Sequence, residues 1–111
     1  MVVLRPVSAI TAAELRTRLS TQNPPVVIDV RDPDEVQIAR LPQAVHLPLS
    51  ELGPALRLLD PTADYVVVCH HGVRSAEVAA WMLDRGFTSV AHLLGGIDAW
   101  AREVDPTMAR Y

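Results

Sequence analysis

Apolar runs interrupted by polar and turn residues predict strands that alternate with helices along the chain. The β-branched run at 26–28 contains no polar residue, which is typical of a strand buried on both faces. Mainly apolar runs predict further strands at 44–47, 65–68 and 90–94. Because strands that alternate with helices form parallel sheets, we expect an α/β fold with a mainly parallel central sheet and helices on both faces.

Two capping patterns predict where the first helices begin. Thr11 and Glu14 have the spacing of a capping box ahead of a helix that continues to Leu19. Asp32, followed by a proline and then by Glu35, has a similar pattern and predicts a short helix to about position 39. Apolar spacing and turn residues predict three later helices: one from 50–51 to a point before Pro61, one over 75–85 that Gly86 ends, and one over 97–103 after the turn Gly95-Gly96.

Length and charge narrow the classes of function. The chain has 111 residues, half of them hydrophobic, which is the size of one globular domain, so we interpret residues 1–111 as a single domain. A formal net charge of -3, with scattered arginines and no lysine, argues against a nucleic-acid partner. The apolar runs are far shorter than the ~18 residues of a membrane span, and the N-terminus does not resemble a signal peptide. We therefore expect no membrane partner and a cytoplasmic location.

The single cysteine, Cys69, is the candidate centre of chemistry. One cysteine excludes an internal disulfide and a four-cysteine zinc site, and by itself it is more often a buried core residue than a nucleophile. Its surroundings favour the nucleophile. It follows the predicted strand at 65–68, where parallel sheets bind ligands, and it precedes a helix that we expect to start near Ser75.

The residues after the cysteine are suited to hold an anion. Gly72 frees the backbone to curl so that amide groups point inward, and the following helix adds the positive end of its dipole. Such surroundings lower the pKa of a thiol and favour the thiolate. Arg74 adds a planar guanidinium that is able to bind two oxygens of a sulfonate-like or phosphate-like group. This pattern predicts a thiolate nucleophile beside an oxyanion clamp.

Three segments resemble the signatures of one family. The segment 68–76, with the sequence VCHHGVRSA, resembles the active-site loop of the rhodanese family of sulfurtransferases. The sequence IDVR at 28–31, followed by Glu35, resembles the family's first signature, and the segment 86–100 resembles its closing one. The segments have the family's order and spacing, so the chain is identified as a member with a rhodanese-like fold.

The resemblance implies a mechanism in two halves. Cys69 takes the outer sulfur of a donor such as thiosulfate as a persulfide, and a nucleophilic acceptor, such as cyanide, a thiol or a sulfur-carrier protein, then removes it. It implies no metal and no organic cofactor. Catalytic roles fall to Cys69 and Arg74. The other residues of the persulfide-binding loop are His70, His71, Gly72, Val73 and Ser75.

The sequence leaves the roles of four residues open. Asp29 and Arg31 either shape the pocket as supporting residues or form an ordinary ion pair. His70 and His71 either meet the substrate or point to solvent, and as metal ligands beside Cys69 they lack a fourth partner at a suitable spacing.

One segment of the chain departs from the family pattern, and the C-terminal tail shows a further likeness. Around 39–44 the chain departs from the family, because Arg40 replaces a common histidine and Gln43 stands where a glycine is common. The tail from Val104 to Tyr111 resembles the ends of rhodanese domains attached to E1-like enzymes that activate sulfur carriers, which indicates a protein partner.

Two other functions compete with small-molecule sulfur transfer. Cysteine phosphatases and arsenate reductases also combine a cysteine, amides and an arginine, but they have a longer loop than the four residues between Cys69 and Arg74. A persulfide relay or a regulatory binding module without small-molecule turnover is the other alternative. Because regulatory modules often lose the cysteine, its retention favours sulfur transfer.

Overall fold

The computed structural model describes residues 7–111. In this part of the chain, strands alternate with helices in the order β1 (Ser8–Ile10), α1 (Ala12–Leu19), β2 (Val26–Asp29), α2 (Pro33–Ile38), β3 (Val45–His46), α3 (Leu49–Leu56), β4 (Asp64–Val68), α4 (Val73–Asp84), β5 (Ser89–Leu93) and α5 (Gly96–Glu103). The predicted α/β class is confirmed. No helix between residues 7 and 111 has the length and apolar character needed to cross a membrane.

The strands form one sheet in the order β1-β5-β4-β2-β3, and every neighbouring pair is parallel. The central strand β4 pairs with β2 and β5, with Asp29 opposite Val68 and His92 opposite Val67. The carboxyl ends of these strands therefore meet at one edge, where parallel sheets gather functional residues. Cys69 follows β4 at this edge.

Side chains alternate along the strands between two apolar clusters, one on each face of the sheet. One cluster packs strand residues against α3 and α4, and it contains Ile28, Val67, Val90, Leu52, Val78, Met82 and Cys69. The other packs against α1 and α5, and it contains Val27, Val66, Val68, Leu93, Leu15, Ile97 and Trp100. The prediction of helices on both faces is confirmed.

The predicted capping boxes are present, but α4 begins earlier than expected. Thr11 accepts from the Glu14 amide at 3.1 Å while Glu14 accepts from the Thr11 amide at 3.1 Å. Glu35 accepts from the Asp32 amide at 3.0 Å. The expectation that α4 starts near Ser75 is wrong, because Gly72 is its N-cap and the helix begins at Val73. The N-terminus of α4 therefore lies closer to Cys69 along the chain than the sequence predicts.

Three further features were not expected. Strand β1 was not predicted, since it has only three residues and pairs on one side with β5. Val26 is 37 % exposed, so the first residue of β2 is not buried on both faces as predicted. Gln43, at the departure from the family pattern, keeps a φ of 61° in the left-handed region that glycine adopts without strain.

Candidate active site

The backbone of Cys69 is held by the first turn of α5. The Ile97 amide donates to the Cys69 carbonyl at 2.8 Å, and the Asp98 amide donates to the His70 carbonyl at 3.1 Å. Gly96 permits this approach, because a Cβ atom there would lie 2.3 Å from the His70 carbonyl oxygen. The second glycine of the predicted turn thus has a packing role at the cysteine loop.

The sulfur of Cys69 is surrounded by donors of its own loop. The backbone amides of Gly72 and Ser75 donate to Sγ at 3.1 and 3.3 Å, and the Ser75 hydroxyl oxygen lies 3.3 Å from it. Gly72 has a φ of 99°, which a residue with a side chain rarely adopts. Amide donors and the N-terminus of α4 favour negative charge on the sulfur. Two inward-pointing amides thus meet at the sulfur, while the role of the loop in binding a persulfide stays a prediction.

The guanidinium of Arg74 is paired with a carboxylate of the protein. Its Nη1 and Nη2 atoms donate to Oε2 and Oε1 of Glu35, both at 3.0 Å. The hydrogen bond from Arg74 is the main reason that the pKa of Glu35 falls to about 2, and Glu35 in turn raises the pKa of Arg74. A cation in the first turn of a helix is unfavourable without an anion nearby, and Glu35 is that anion. The bidentate face of Arg74 is therefore occupied rather than open to an oxyanion.

Asp29 and Arg31 form a buried ion pair beside this site. Arg31 Nη2 donates to Asp29 Oδ2 at 2.6 Å, and the two residues are 0 % and 1 % exposed. Arg31 Nη1 donates to the Tyr111 hydroxyl at 2.8 Å, and that hydroxyl donates to Glu35 Oε1 at 2.9 Å. A chain of hydrogen bonds thus joins Asp29 to Arg74. Asp29 and Arg31 form an ion pair, and their supporting role at the pocket stays a prediction.

Ser75 connects the sulfur to a histidine that the sequence did not single out. Ser75 is fully buried, and its hydroxyl oxygen lies 3.2 Å from Nδ1 of His92 on β5. Burial lowers the pKa of His92, so its ring is uncharged at neutral pH. The sole hint in the sequence was a polar residue within the otherwise apolar run at 90–94.

His70 and His71 pack on each other, and His70 also packs on the C-terminal tail. Their ring centroids are 3.8 Å apart, and the Tyr111 ring stacks on His70 at 3.8 Å with a 7° angle between the planes. His70 is thus a packing residue, whereas His71 is exposed, and so is Val73 of the predicted loop.

The same histidines lie near Asp98, and the three offer metal-ligating atoms within 4.8 Å of one another. Two observations disfavour an ion there. The histidine planes are tilted by only 32°, so their in-plane lone pairs do not converge well, and the Asp98 carboxylate already binds Arg102 and Arg110. The expectation that the reaction needs no metal stays a prediction.

A separate groove lies toward the end of α4. It encloses about 500 Å³ and is lined by residues that include Arg57, Trp81, Arg85 and Phe87. It contains no nucleophile and no paired acid and base. We therefore place the candidate active site at the Cys69 loop, where the chemistry is concentrated.

The family model of the rhodanese-like domain matches residues 11–103 of this chain. The chain belongs to the rhodanese-like family. The matched range of this rhodanese-like domain includes the Cys69 loop and the partners of Arg74 and Ser75, whereas Tyr111 lies outside it.

The relatives of this rhodanese-like domain include proteins named as sulfurtransferases. It is 41 % identical over 106 residues to the probable adenylyltransferase/sulfurtransferase MoeZ of Mycobacterium tuberculosis, covering 94 % of this chain but only 27 % of that protein. It is 32 % identical to the putative sulfurtransferase YtwF of Bacillus subtilis, covering 90 % of this chain and 96 % of that protein. A rhodanese-like domain protein from Staphylococcus aureus has the same fold, with a TM-score of 0.81, 28 % identity, and coverage of 95 % and 99 %. These comparisons support a sulfurtransferase enzyme.

Proposed function

We propose that this domain transfers sulfane sulfur from a donor such as thiosulfate to a nucleophilic acceptor through a persulfide on Cys69. The observation that carries the proposal is the set of contacts around the sulfur, with two amide donors and one hydroxyl within 3.3 Å. A cysteine that only filled the core would gain nothing from these groups. They suit a sulfur atom that carries negative charge before and after the transfer.

The first half of the reaction uses the thiolate as nucleophile. The Cys69 thiolate attacks the outer sulfur of thiosulfate, a sulfur–sulfur bond forms, and the donor's own sulfur–sulfur bond breaks. Sulfite leaves with the electron pair of the broken bond. The persulfide then carries the negative charge on its outer sulfur, close to the amides of Gly72 and Ser75.

Arg74 assists this step through its charge and its remaining donors. Glu35 occupies one proton of each terminal nitrogen, and among residues 7–111 no acceptor is bound to the Nε–H group. Arg74 is partly exposed, so an entering sulfonate group reaches these remaining donors. In this proposal Arg74 still binds the oxygens of the donor, but with fewer free N–H groups than the sequence suggests. Glu35 holds the guanidinium in place.

The second half requires an outside acceptor. Cys69 is the only cysteine of the chain, so no neighbouring thiol resolves the persulfide as an internal disulfide. A cyanide ion, a thiol or a sulfur-carrier protein attacks the outer sulfur, and the Cys69 thiolate leaves. A protein acceptor gains support from the MoeZ relative, whose name pairs sulfurtransferase with adenylyltransferase.

Intact-mass analysis tests the covalent intermediate directly. After incubation with thiosulfate we expect one added sulfur, which cyanide or a reductant removes and which Cys69→Ser fails to acquire. An added sulfur on the serine variant, or none on the native protein, would refute the assignment.

A second experiment tests Arg74 against a matched arginine. Arg74→Ala is expected to raise the KM for thiosulfate at least about ten-fold, the loss of one charged hydrogen bond. Arg40→Ala, which removes an exposed arginine bonded only to a backbone carbonyl, is expected to leave it unchanged. Efficient hydrolysis of aryl phosphates without sulfur transfer would instead favour the phosphatase alternative.

A further inference from the structure

Ser75 and His92 lie in a row with the sulfur of Cys69. Cys69 must lose its thiol proton before it attacks, yet the residue is only 1 % exposed, which limits direct access of water to the sulfur. Ser75 is 0 % exposed, and its hydroxyl lies between the sulfur at 3.3 Å and the His92 ring at 3.2 Å. These three side chains form a continuous hydrogen-bonded row from the buried sulfur to strand β5.

We propose that Ser75 and His92 are a proton relay that carries the thiol proton of Cys69 out of the loop and then stabilises the thiolate. This inference rests on the proposed function, because it assigns the route by which the attacking thiolate forms. Ser75 touches the reacting sulfur. His92 acts through Ser75 and is a positioning residue.

The relay has two hydrogen-bond patterns. In the thiol form, the Cys69 S–H donates to Ser75 Oγ, and the serine O–H donates to Nδ1 of His92. In the thiolate form, the serine O–H donates to the sulfur, and an Nδ1–H group of His92 donates to Ser75 Oγ. Both patterns use the same two contacts and need no movement of heavy atoms.

The protons balance when the patterns interchange. The sulfur–hydrogen bond breaks and its proton moves to Ser75 Oγ, while the former serine proton moves to Nδ1 of His92. The Nε2–H proton of His92 leaves to water. One proton is released overall, and His92 changes tautomer without gaining a lasting charge.

Two observations on His92 fit this role. Burial lowers its pKa, which disfavours a charged ring and favours the change of tautomer. Its Nε2 atom has no hydrogen-bond partner among the described residues. Within those residues, the only side-chain nitrogen or oxygen that is both buried and without a partner is Nε2 of His70. His92 is partly buried rather than fully enclosed, and the relay assigns the exchange of a proton with water to its Nε2 atom.

The other charged and titratable groups near the sulfur have different partners. Arg74 acts on Cys69 by its charge but is paired with Glu35. The rings of His70 and His71 stack on each other, and His70 also stacks on Tyr111. Among residues 7–111, no charged group contributes to the pKa of His92. In the part of the chain that the structure describes, Ser75 is thus the single hydrogen-bonding link between Cys69 and an imidazole.

The test follows Cys69 without any sulfur donor. We would measure the rate of iodoacetamide alkylation against pH in His92→Asn, Ser75→Ala and the double variant. Asparagine retains a hydrogen-bonding group near Ser75 but does not exchange the proton. We expect each single variant to slow alkylation near neutral pH about ten-fold, the equivalent of one lost hydrogen bond to a charged group, and to move the profile to higher pH.

The double variant separates a relay from two independent defects. If His92 acts through Ser75, the double variant is slowed about as much as Ser75→Ala alone, since the effects of coupled residues are not additive. Ser75→Thr keeps the hydroxyl and is expected to retain most of the rate. Multiplied effects in the double variant would overturn the relay, and so would an unchanged pH profile in His92→Asn.

A matched histidine and a separate assay complete the design. His46→Asn removes another partly buried imidazole, which is bonded to the Arg31 carbonyl at 2.7 Å, and it is expected to leave alkylation unchanged. An equal slowing in His46→Asn would show that loss of a buried ring, rather than a relay, is the cause. Sulfur loading from thiosulfate is measured separately. Failure to load, with the alkylation shifts intact, would refute the proposed function and not the relay.

Discussion

Replacement of Gly96 by alanine tests how closely α5 supports the cysteine loop. The added Cβ would lie 2.3 Å from the His70 carbonyl oxygen, whereas Cβ atoms essentially never approach other atoms within 3.0 Å. The difference requires that the loop or the helix retreat by at least 0.7 Å. Such a shift weakens the hydrogen bonds from Ile97 and Asp98 to the loop carbonyls. The donors around Cys69 would then lose their alignment.

The free-energy change has two parts. Gly96 has a φ of 64°, and alanine in that conformation costs about 1–2 kcal/mol. Two weakened hydrogen bonds add about 1 kcal/mol each. We therefore expect Gly96→Ala to lower the free energy of unfolding by about 3–4 kcal/mol and the Tm by roughly 10–15 °C.

Gly86→Ala is the matched control for backbone strain. Gly86 has a φ of 95°, but a Cβ atom there would meet nothing within 4 Å. Its replacement should cost only the strain of about 1–2 kcal/mol and leave Cys69 alkylation unchanged. Urea unfolding and alkylation rates measure both effects. Equal destabilisation by the two alanines, or normal Cys69 reactivity in Gly96→Ala, would refute the close-approach argument.

Three further predictions concern the surroundings of the site. Because the pKa of Glu35 is about 2 in the folded protein and 4.5 is its ordinary value, its pairing with Arg74 stabilises the fold fully above pH 4.5. Urea unfolding should lose up to about 3 kcal/mol as the pH falls from 4.5 to 2, and Glu35→Gln should remove that part of the pH dependence. Tyr111→Phe keeps the ring but loses the hydroxyl between Arg31 and Glu35, so we expect about 1–2 kcal/mol less stability in the same assay, and no change would show that the bridge is unimportant. Gln43→Gly should raise the Tm, since glycine relieves about 1 kcal/mol of strain at a φ of 61°, and a lower Tm would contradict this.

Local patterns in the sequence predicted most of the architecture. The capping boxes at Thr11 and Asp32 depend on residues three positions apart, and both are present as expected. The apolar pattern predicts a start of α4 at Ser75, two residues later than the structure has it. The sequence does not mark Gly72 as an N-cap, yet Gly72 is the N-cap of α4. Strand β1 has too few residues to produce a pattern of its own.

Partners of the site residues were harder to predict because they come from distant parts of the chain. The sequence predicts that Arg74 binds an oxyanion, but in the structure its partner is Glu35, 39 positions away, which the sequence presents only as a capping residue and part of a signature. The link from Ser75 to His92 crosses from a helix to a strand and has no local signal. Sheet register determines such contacts, and one sequence alone does not reveal it.

The contacts of Tyr111 have a consequence for the biosynthesis of this protein. Its hydroxyl binds Arg31, which lies 80 positions earlier, and its ring covers His70 beside Cys69. A ribosome releases Cys69 well before it releases the α5 turn that holds the loop carbonyls, and Tyr111 later still. We therefore expect Cys69 of a nascent chain to lack the amide and hydroxyl contacts of the folded loop, so that sulfur loading becomes efficient only after the domain has emerged and folded.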